Sequence, residues 1–209
     1  MSRNTTRNLV AILRGLHPER AVETATVIAE AGIGWIEVPL NSPEPLVSIA
    51  AMQAALGERV RIGAGTVLTP AEVEAVAGTG AGFIVSPNCD LAVIARTKAL
   101  GLVSMPGVFT PTEALAALAA GADALKLFPA GMAGPGGLKA LRAVLPPATR
   151  VLAVGGVGPA DFPDWREAGA DGFGLGSSLF SPGWPLERVA EAARFSVAAH
   201  DAAWGITAA

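Results

Sequence analysis

The sequence predicts a single α/β domain, a (β/α)8 TIM barrel spanning residues 1–209, and three observations predict it. Short β-type runs recur about every 20 to 26 residues. Ala-rich segments with helical periodicity lie between them, the mark of repeated βα units. The runs number eight, the count at which parallel strands and their crossover helices close into a barrel, and 209 residues is the short end of that fold's range. No Ser/Gly linker or charge block divides the chain.

In order the strands are "LVAILRG" from Leu9, "WIEVPL" from Trp35, "RIGAGTV" from Arg61, "FIVSP" from Phe83, "LVSMPGV" from Leu102, "ALKLFP" from Ala124, "RVLAVGGV" from Arg150 and "GFGLGSSLF" from Gly172. Two of the intervening helices announce their starts. "TPAE" at Thr69 and "TPTE" at Thr110 each offer an N-cap hydroxyl, a proline in the first turn and a glutamate three residues on, the elements of a capping box. Helix ends are marked by "EAGI" at Glu30, "GTGA" at Gly78, "AAGADAL" at Ala119 and "EAGADGF" at Glu167, where glycine suits a left-handed C-cap before the next strand.

Composition excludes several function classes. A hydrophobic content of 51% and a mean hydropathy of +0.47 are high, yet no apolar run approaches the roughly 18 residues a membrane span needs, so these residues are expected to fill a core. The opening "MSRNTTRNLVAILRGL" lacks the pattern of an export signal, which makes the cytoplasm the expected compartment and no membrane the expected partner. A net charge of −3 without any Lys/Arg cluster argues against nucleic acid. One cysteine excludes an internal disulfide, and His17 and His200 stand outside any metal-ligand spacing, so no metal is expected. Cys89 is assigned no role.

In a barrel of this kind the site forms at the C-terminal ends of the strands. Polar residues and glycines collect there: Arg14, Glu37, Thr66, Asn88, Lys126, then Gly155, Gly156, Gly176 and Ser177. Strand alternation sends Leu125 and Leu127 to one face of "ALKLFP" and Ala124, Lys126 and Phe128 to the other. The same rule turns Ile36 and Val38 outward and Glu37 inward, where its carboxylate is able to meet Lys126 across the barrel. Two readings of Lys126 are open at this point. It is either a strand-end lysine whose charge reaches water or a carboxylate, or a desolvated amine used as a nucleophile. An inward Lys/Glu pair kept for structure alone is poorly motivated, because apolar residues of the same volume often stabilise as well.

The glycine-rich ends "AVGGV" and "GLGSSLF" leave backbone N–H groups free to close on an anion, at the loops that form the usual phosphate site of this fold. Arg14 presents a planar fork suited to a substrate carboxylate, or alternatively a salt bridge to Glu37.

These motifs together resemble a known family. "VAILRG", "IEVPLNSP", "GAGTVL", "IVSPN", "PGVFTPTEA", "LKLFPA", "AVGGV" and "GFGLGSSLF" are similar, in order and over almost the whole chain, to the 2-keto-3-deoxy-6-phosphogluconate and 6-phosphogalactonate aldolases, class I pyruvate-dependent lyases. The resemblance implies that Lys126 forms an imine with the C2 ketone of a phosphorylated 2-keto-3-deoxy sugar acid. It implies that Glu37 shuttles protons, through a water, and takes the C4 hydroxyl proton as C3–C4 breaks to release glyceraldehyde 3-phosphate and pyruvate. Arg14 and Thr66 would hold the carboxylate, and Gly155, Gly156, Gly176 and Ser177 the phosphate. "VPLNSP" and Val154 look like the galactonate branch, since the gluconate branch usually carries threonine where Val154 stands, with overlapping activity on the C4 epimer expected. Pro87, Asn88, Pro106 and Phe128 shape the pocket without an assigned catalytic role. A homotrimer without metal or dissociable cofactor is implied as well. Two competing readings keep the barrel: an isomerase or synthase that uses no imine, and a phosphosugar-binding protein without catalysis.

Overall fold

The computed structural model describes residues 7–206. Strands and helices alternate, except that β5 and β6 follow one another: β1 (Leu9–Ile12), α1 (Ala21–Glu30), β2 (Trp35–Pro39), α2 (Pro45–Leu56), β3 (Arg61–Gly65), α3 (Pro70–Ala77), β4 (Phe83–Val85), α4 (Leu91–Ala99), β5 (Val103–Met105), β6 (Gly107–Val108), α5 (Pro111–Ala119), β7 (Leu125–Leu127), α6 (Ala130–Arg142), β8 (Val151–Val154), α7 (Phe162–Glu167), β9 (Gly172–Leu175) and α8 (Leu186–Trp204). All strand pairs are parallel, in the order β5-β4-β3-β2-β1-β9-β8-β7-β6.

The fold class is the expected barrel, with one difference in the strand count. The fifth run, read as one strand, is two short ones on either side of Pro106, which has no N–H to give to a ladder. β5 pairs with β4 and β6 pairs with β7. The barrel closes across that break, with Asp123 N–H donating to the Ser104 carbonyl and Lys126 N–H donating to the Pro106 carbonyl, both at 2.9 Å.

Pleating sorts the apolar residues into two cores. Leu9, Ala11, Ile36, Val38, Ile62, Ala64, Leu125, Leu127, Val151 and Ala153 pack outward under the helices. Val10, Ile12, Trp35, Phe83, Val85, Met105, Ala124, Leu152 and Val154 fill the barrel itself. At its N-terminal end Trp35 and Phe83 meet edge to face with centroids 5.1 Å apart, closing the bottom. The top stays open because the inward residues there are polar or lack side chains.

Both predicted capping boxes are present. Thr69 and Thr110 accept from the backbone N–H of Glu72 and Glu113, whose carboxylates accept in return from the N–H of Thr69 and Thr110. The glycines closing the predicted helix ends, Gly32, Gly80, Gly121 and Gly169, all have positive φ. Behind them Asp123 and Asp171 tie the barrel's lower rim: Asp123 binds Lys98 at 2.6 Å and accepts from Ser104 N–H, while Asp171 binds Arg142 and accepts from Val151 N–H. Trp204 stacks on His200 with centroids 4.3 Å apart and meets Phe173 edge to face, so the end of α8 is packed on the barrel. Among the described residues no helix is long and apolar enough to cross a membrane.

Candidate active site

Lys126 projects into the barrel from the middle of β7, as alternation requires, and is 8% exposed. Its ammonium nitrogen lies 4.7 Å from the centroid of the Phe128 ring, two residues on and on the same face of the chain. Burial pushes its pKa below the usual lysine value and nearby Glu37 opposes that fall, while Arg14 adds to it. Glu37 projects inward from the centre of β2 and is 1% exposed. Burial raises its carboxyl from 4.5 to about 7, against the pull of Lys126 and Arg14. The acid moves up and the base moves down, so their proton affinities approach each other. That suits proton exchange during a reaction better than a permanent ion pair does. The two groups share the barrel interior, but among the described residues Lys126 forms no ion pair within 4.0 Å, and Glu37 Oε2 is buried without a hydrogen-bond partner.

Arg14 stands just beyond β1, exposed at the rim. The alternative of a salt bridge to Glu37 is corrected here. Its Nη1 donates instead to Asn41 Oδ1 at 2.7 Å, and the neighbouring Gly15 N–H donates to Ser42 Oγ at 3.0 Å. The "NSP" loop after β2 therefore holds Arg14 by a neutral partner and leaves its charge uncompensated, available to an anion. Sequence reasoning did not give Asn41 this task. The signal was its place in "PLNSP", directly after an inward acid.

Thr66 follows β3 with φ of 56°, a left-handed conformation that a β-branched residue seldom adopts. It is half-buried at the strand's C-terminal end but is not among the residues lining the main cavity, so the structure separates it from the rest of the predicted set.

That cavity, 790 Å³ in volume, opens at the C-terminal end of the barrel. Arg14, Lys126, Val154, Gly155, Gly156, Gly176 and Ser177 all line it, together with Phe128, Ser178 and Ser181. Below it a small void is walled by Glu37, Lys126, Val154 and the apolar interior residues, which places the carboxylate directly beneath the mouth. Gly155 and Gly156 have φ of 86° and 75°, and a Cβ on Gly155 would lie 3.0 Å from the Phe128 ring. Two successive left-handed residues make a concave turn of N–H groups. Among the described residues no acceptor pairs with the N–H of Gly156, Val157, Ser177 or Ser178. Four unpaired donors on two adjacent loops form a cradle for an anion such as a phosphate. Ser178 Oγ is buried and unpartnered among the described residues, and the sequence did not single it out because "GSS" offers two equivalent hydroxyls. No cluster of three or more His, Cys, Asp or Glu side chains suited to a metal ion occurs among the described residues. Cys89 is half-buried beside the Glu113 carbonyl, outside the cavity lining.

A buried amine, a buried acid, a rim arginine and an amide cradle around one cavity are the parts a Schiff-base lyase of phosphorylated keto acids needs, and a sequence model of KDPG and KHG aldolases matches residues 1–190. The chain belongs to the KDPG and KHG aldolase family. Within it, a protein of Rhizobium meliloti (strain 1021) named a probable 2-dehydro-3-deoxy-6-phosphogalactonate aldolase is 50% identical over 199 residues, covering 95% of this chain and 94% of its own. The 2-dehydro-3-deoxy-6-phosphogalactonate aldolase of Escherichia coli (strain K12) is 46% identical over 192 residues, covering 92% and 94%. A solved structure of this aldolase family, described as native KDPGal, superposes with a TM-score of 0.95 at 45% identity, over 98% of this chain and 100% of that one.

Proposed function

We propose that this aldolase cleaves 2-dehydro-3-deoxy-6-phosphogalactonate to pyruvate and D-glyceraldehyde 3-phosphate through an imine on Lys126. The single observation that carries the mechanism is the buried Lys126 amine, its pKa lowered, at the floor of the glycine-rimmed cavity, with the Glu37 carboxyl, its pKa raised, in the same void.

The neutral amine of Lys126 adds to the C2 ketone, and the carbinolamine takes a proton from the Glu37 carboxyl and loses water, leaving a protonated imine and Glu37 as carboxylate. Glu37, as carboxylate, takes the C4 hydroxyl proton. The C3–C4 electron pair flows into the imine to give an enamine, and the C4 end departs as the aldehyde. Protonation of the enamine at C3 and hydrolysis of the resulting imine release pyruvate and restore the amine. Arg14, at the cavity rim, holds the carboxylate end. Gly155, Gly156, Gly176 and Ser177 hold the phosphate, and fixing both ends brings C4 to Glu37.

Val154, buried on β8 and lining the cavity, supports the galactonate configuration, because a valine gives a C4 hydroxyl no hydrogen bond. We further assign the protein to a homotrimer in the cytoplasm. Exposed Leu68, Leu91, Phe109 and Leu115 lie on three consecutive βα units and give such an assembly an apolar face.

The test is intact mass after mixing with pyruvate and borohydride, with peptide mapping and cleavage assays on both C4 epimers. A reduced pyruvyl adduct on Lys126, with faster cleavage of the galactonate epimer, is the expected result. Undiminished cleavage by Lys126→Met would remove the imine from the reaction.

A further inference from the structure

The wall of the barrel opposite Lys126 contains a hollow that the mechanism above does not use. Beyond Arg61, the two inward positions of β3 are both glycine, Gly63 and Gly65, while Ile62 and Ala64 face the helices. Gly63 makes room for a neighbour of the apolar core, since a Cβ there would lie 2.5 Å from the Phe83 ring. Gly65 makes room for something else. A Cβ on it would lie 1.6 Å from Glu37 Oε2, 2.5 Å from Cδ and 3.0 Å from Oε1.

The β2–β3 register pairs Glu37 with Gly63 and Pro39 with Gly65, so the glutamate side chain runs up its own strand and across to the next inward position of the neighbour. Its carboxylate occupies the volume that any side chain at position 65 would fill. The backbone does not explain the glycine. Gly65 is absent from the positive-φ residues of the chain, so its conformation is open to alanine, and the three nearest atoms to its Cβ all belong to Glu37.

We infer that Gly65 is a positioning residue of the aldol reaction: its missing side chain is the seat of the Glu37 carboxylate, holding it against β3 and out of ion-pair contact with Lys126. The inference rests on Glu37 being the acid/base of the proposed reaction. Its value to that reaction is geometric and electrostatic. A carboxylate in direct contact with Lys126 would hold it as ammonium, which has no lone pair to add to a ketone. A carboxylate seated one strand away leaves the amine free and leaves space between the two groups for the substrate's C3–C4 bond.

The experiment is a cycle of Gly65→Ala, Glu37→Ala and their combination, read by thermal midpoint at one protein concentration, with Glu37→Asp added for kinetics. Gly65→Ala is expected to lower the midpoint in the parent protein and to leave it unchanged in the Glu37→Ala background. An equal fall in both backgrounds, or a double variant that does not fold, would overturn the inference by showing that the glycine serves the barrel itself. In the cleavage assay Gly65→Ala is expected to lose about 100-fold in kcat with KM nearly unchanged, the scale of a small misplacement of a catalytic group. Borohydride should still trap pyruvate on Lys126. The shorter acid should relieve the clash, so that Gly65→Ala combined with Glu37→Asp is no slower than Glu37→Asp alone. An unchanged kcat in Gly65→Ala also overturns the inference. Full activity in Glu37→Ala would instead remove Glu37 from the reaction, and the midpoint cycle would still decide whether Gly65 seats its carboxylate.

Discussion

Replacing Glu37 by glutamine should make this protein's stability less sensitive to pH, with a size set by burial. The Glu37 carboxyl is 1% exposed and its pKa is raised from 4.5 to about 7 in the folded chain, chiefly by loss of water. In the unfolded chain it returns to its ordinary value. Between those two pH values the folded state holds a proton that the unfolded state has released, so stability falls as pH rises through the window. At about 1.4 kcal/mol per pH unit the whole displacement is worth about 3 kcal/mol. Glu37→Gln has no proton to lose. The stability of the variant minus that of the parent should therefore climb by about 3 kcal/mol between pH 4.5 and 7, on top of any constant offset from the amide. Lys126 acts with the opposite sign: its pKa is lowered, so stability is regained as pH rises from the folded value toward 10.5, a contribution that both proteins share. Urea titrations followed by fluorescence of the four tryptophans measure the difference directly, provided the urea slopes of the two proteins agree. A difference that stays flat within about 0.5 kcal/mol would refute the argument that Glu37 is held protonated by burial.

Three further outcomes are expected. Arg14→Leu removes a cation of the cavity lining that pairs with no carboxylate among the described residues, and kcat/KM for the phosphorylated keto acid should fall about 10- to 100-fold in steady-state assays, the loss of a charge-assisted hydrogen bond. Val154→Thr offers a hydroxyl to C4, and the ratio of kcat/KM between the gluconate and galactonate epimers should rise about 2- to 10-fold, with a stability change below about 1.5 kcal/mol. Thr110→Ala removes the side-chain cap on the Glu113 N–H and should cost about 1 kcal/mol in urea unfolding, with cleavage rates unchanged because both groups lie outside the cavity lining.

The features legible in the sequence are those with a short-range cause. Pleating has a period of two, so the inward aim of Lys126, Glu37 and Val154 and the outward aim of Leu125, Leu127, Ile36 and Val38 could be read from a few neighbouring residues. Capping boxes are equally local, and Thr69 and Thr110 cap as their four-residue motifs require. The concave turn after β8 has an equally local cause, since Gly155 and Gly156 both take positive φ.

Tertiary structure decided the distances between those residues. The period of a strand says which face a side chain takes, and nothing about how far it stands from a residue on a strand many residues away. Shear and closure of the barrel set that spacing. So the sequence by itself determined that an amine and an acid share one interior, and only the folded barrel decided that they stand apart, with the carboxylate lodged over Gly65. It also turned Arg14 to Asn41 and away from Glu37, split the fifth strand at Pro106, and left Thr66 outside the cavity lining. Each of these depends on packing between segments distant in the chain, where local preference has no vote.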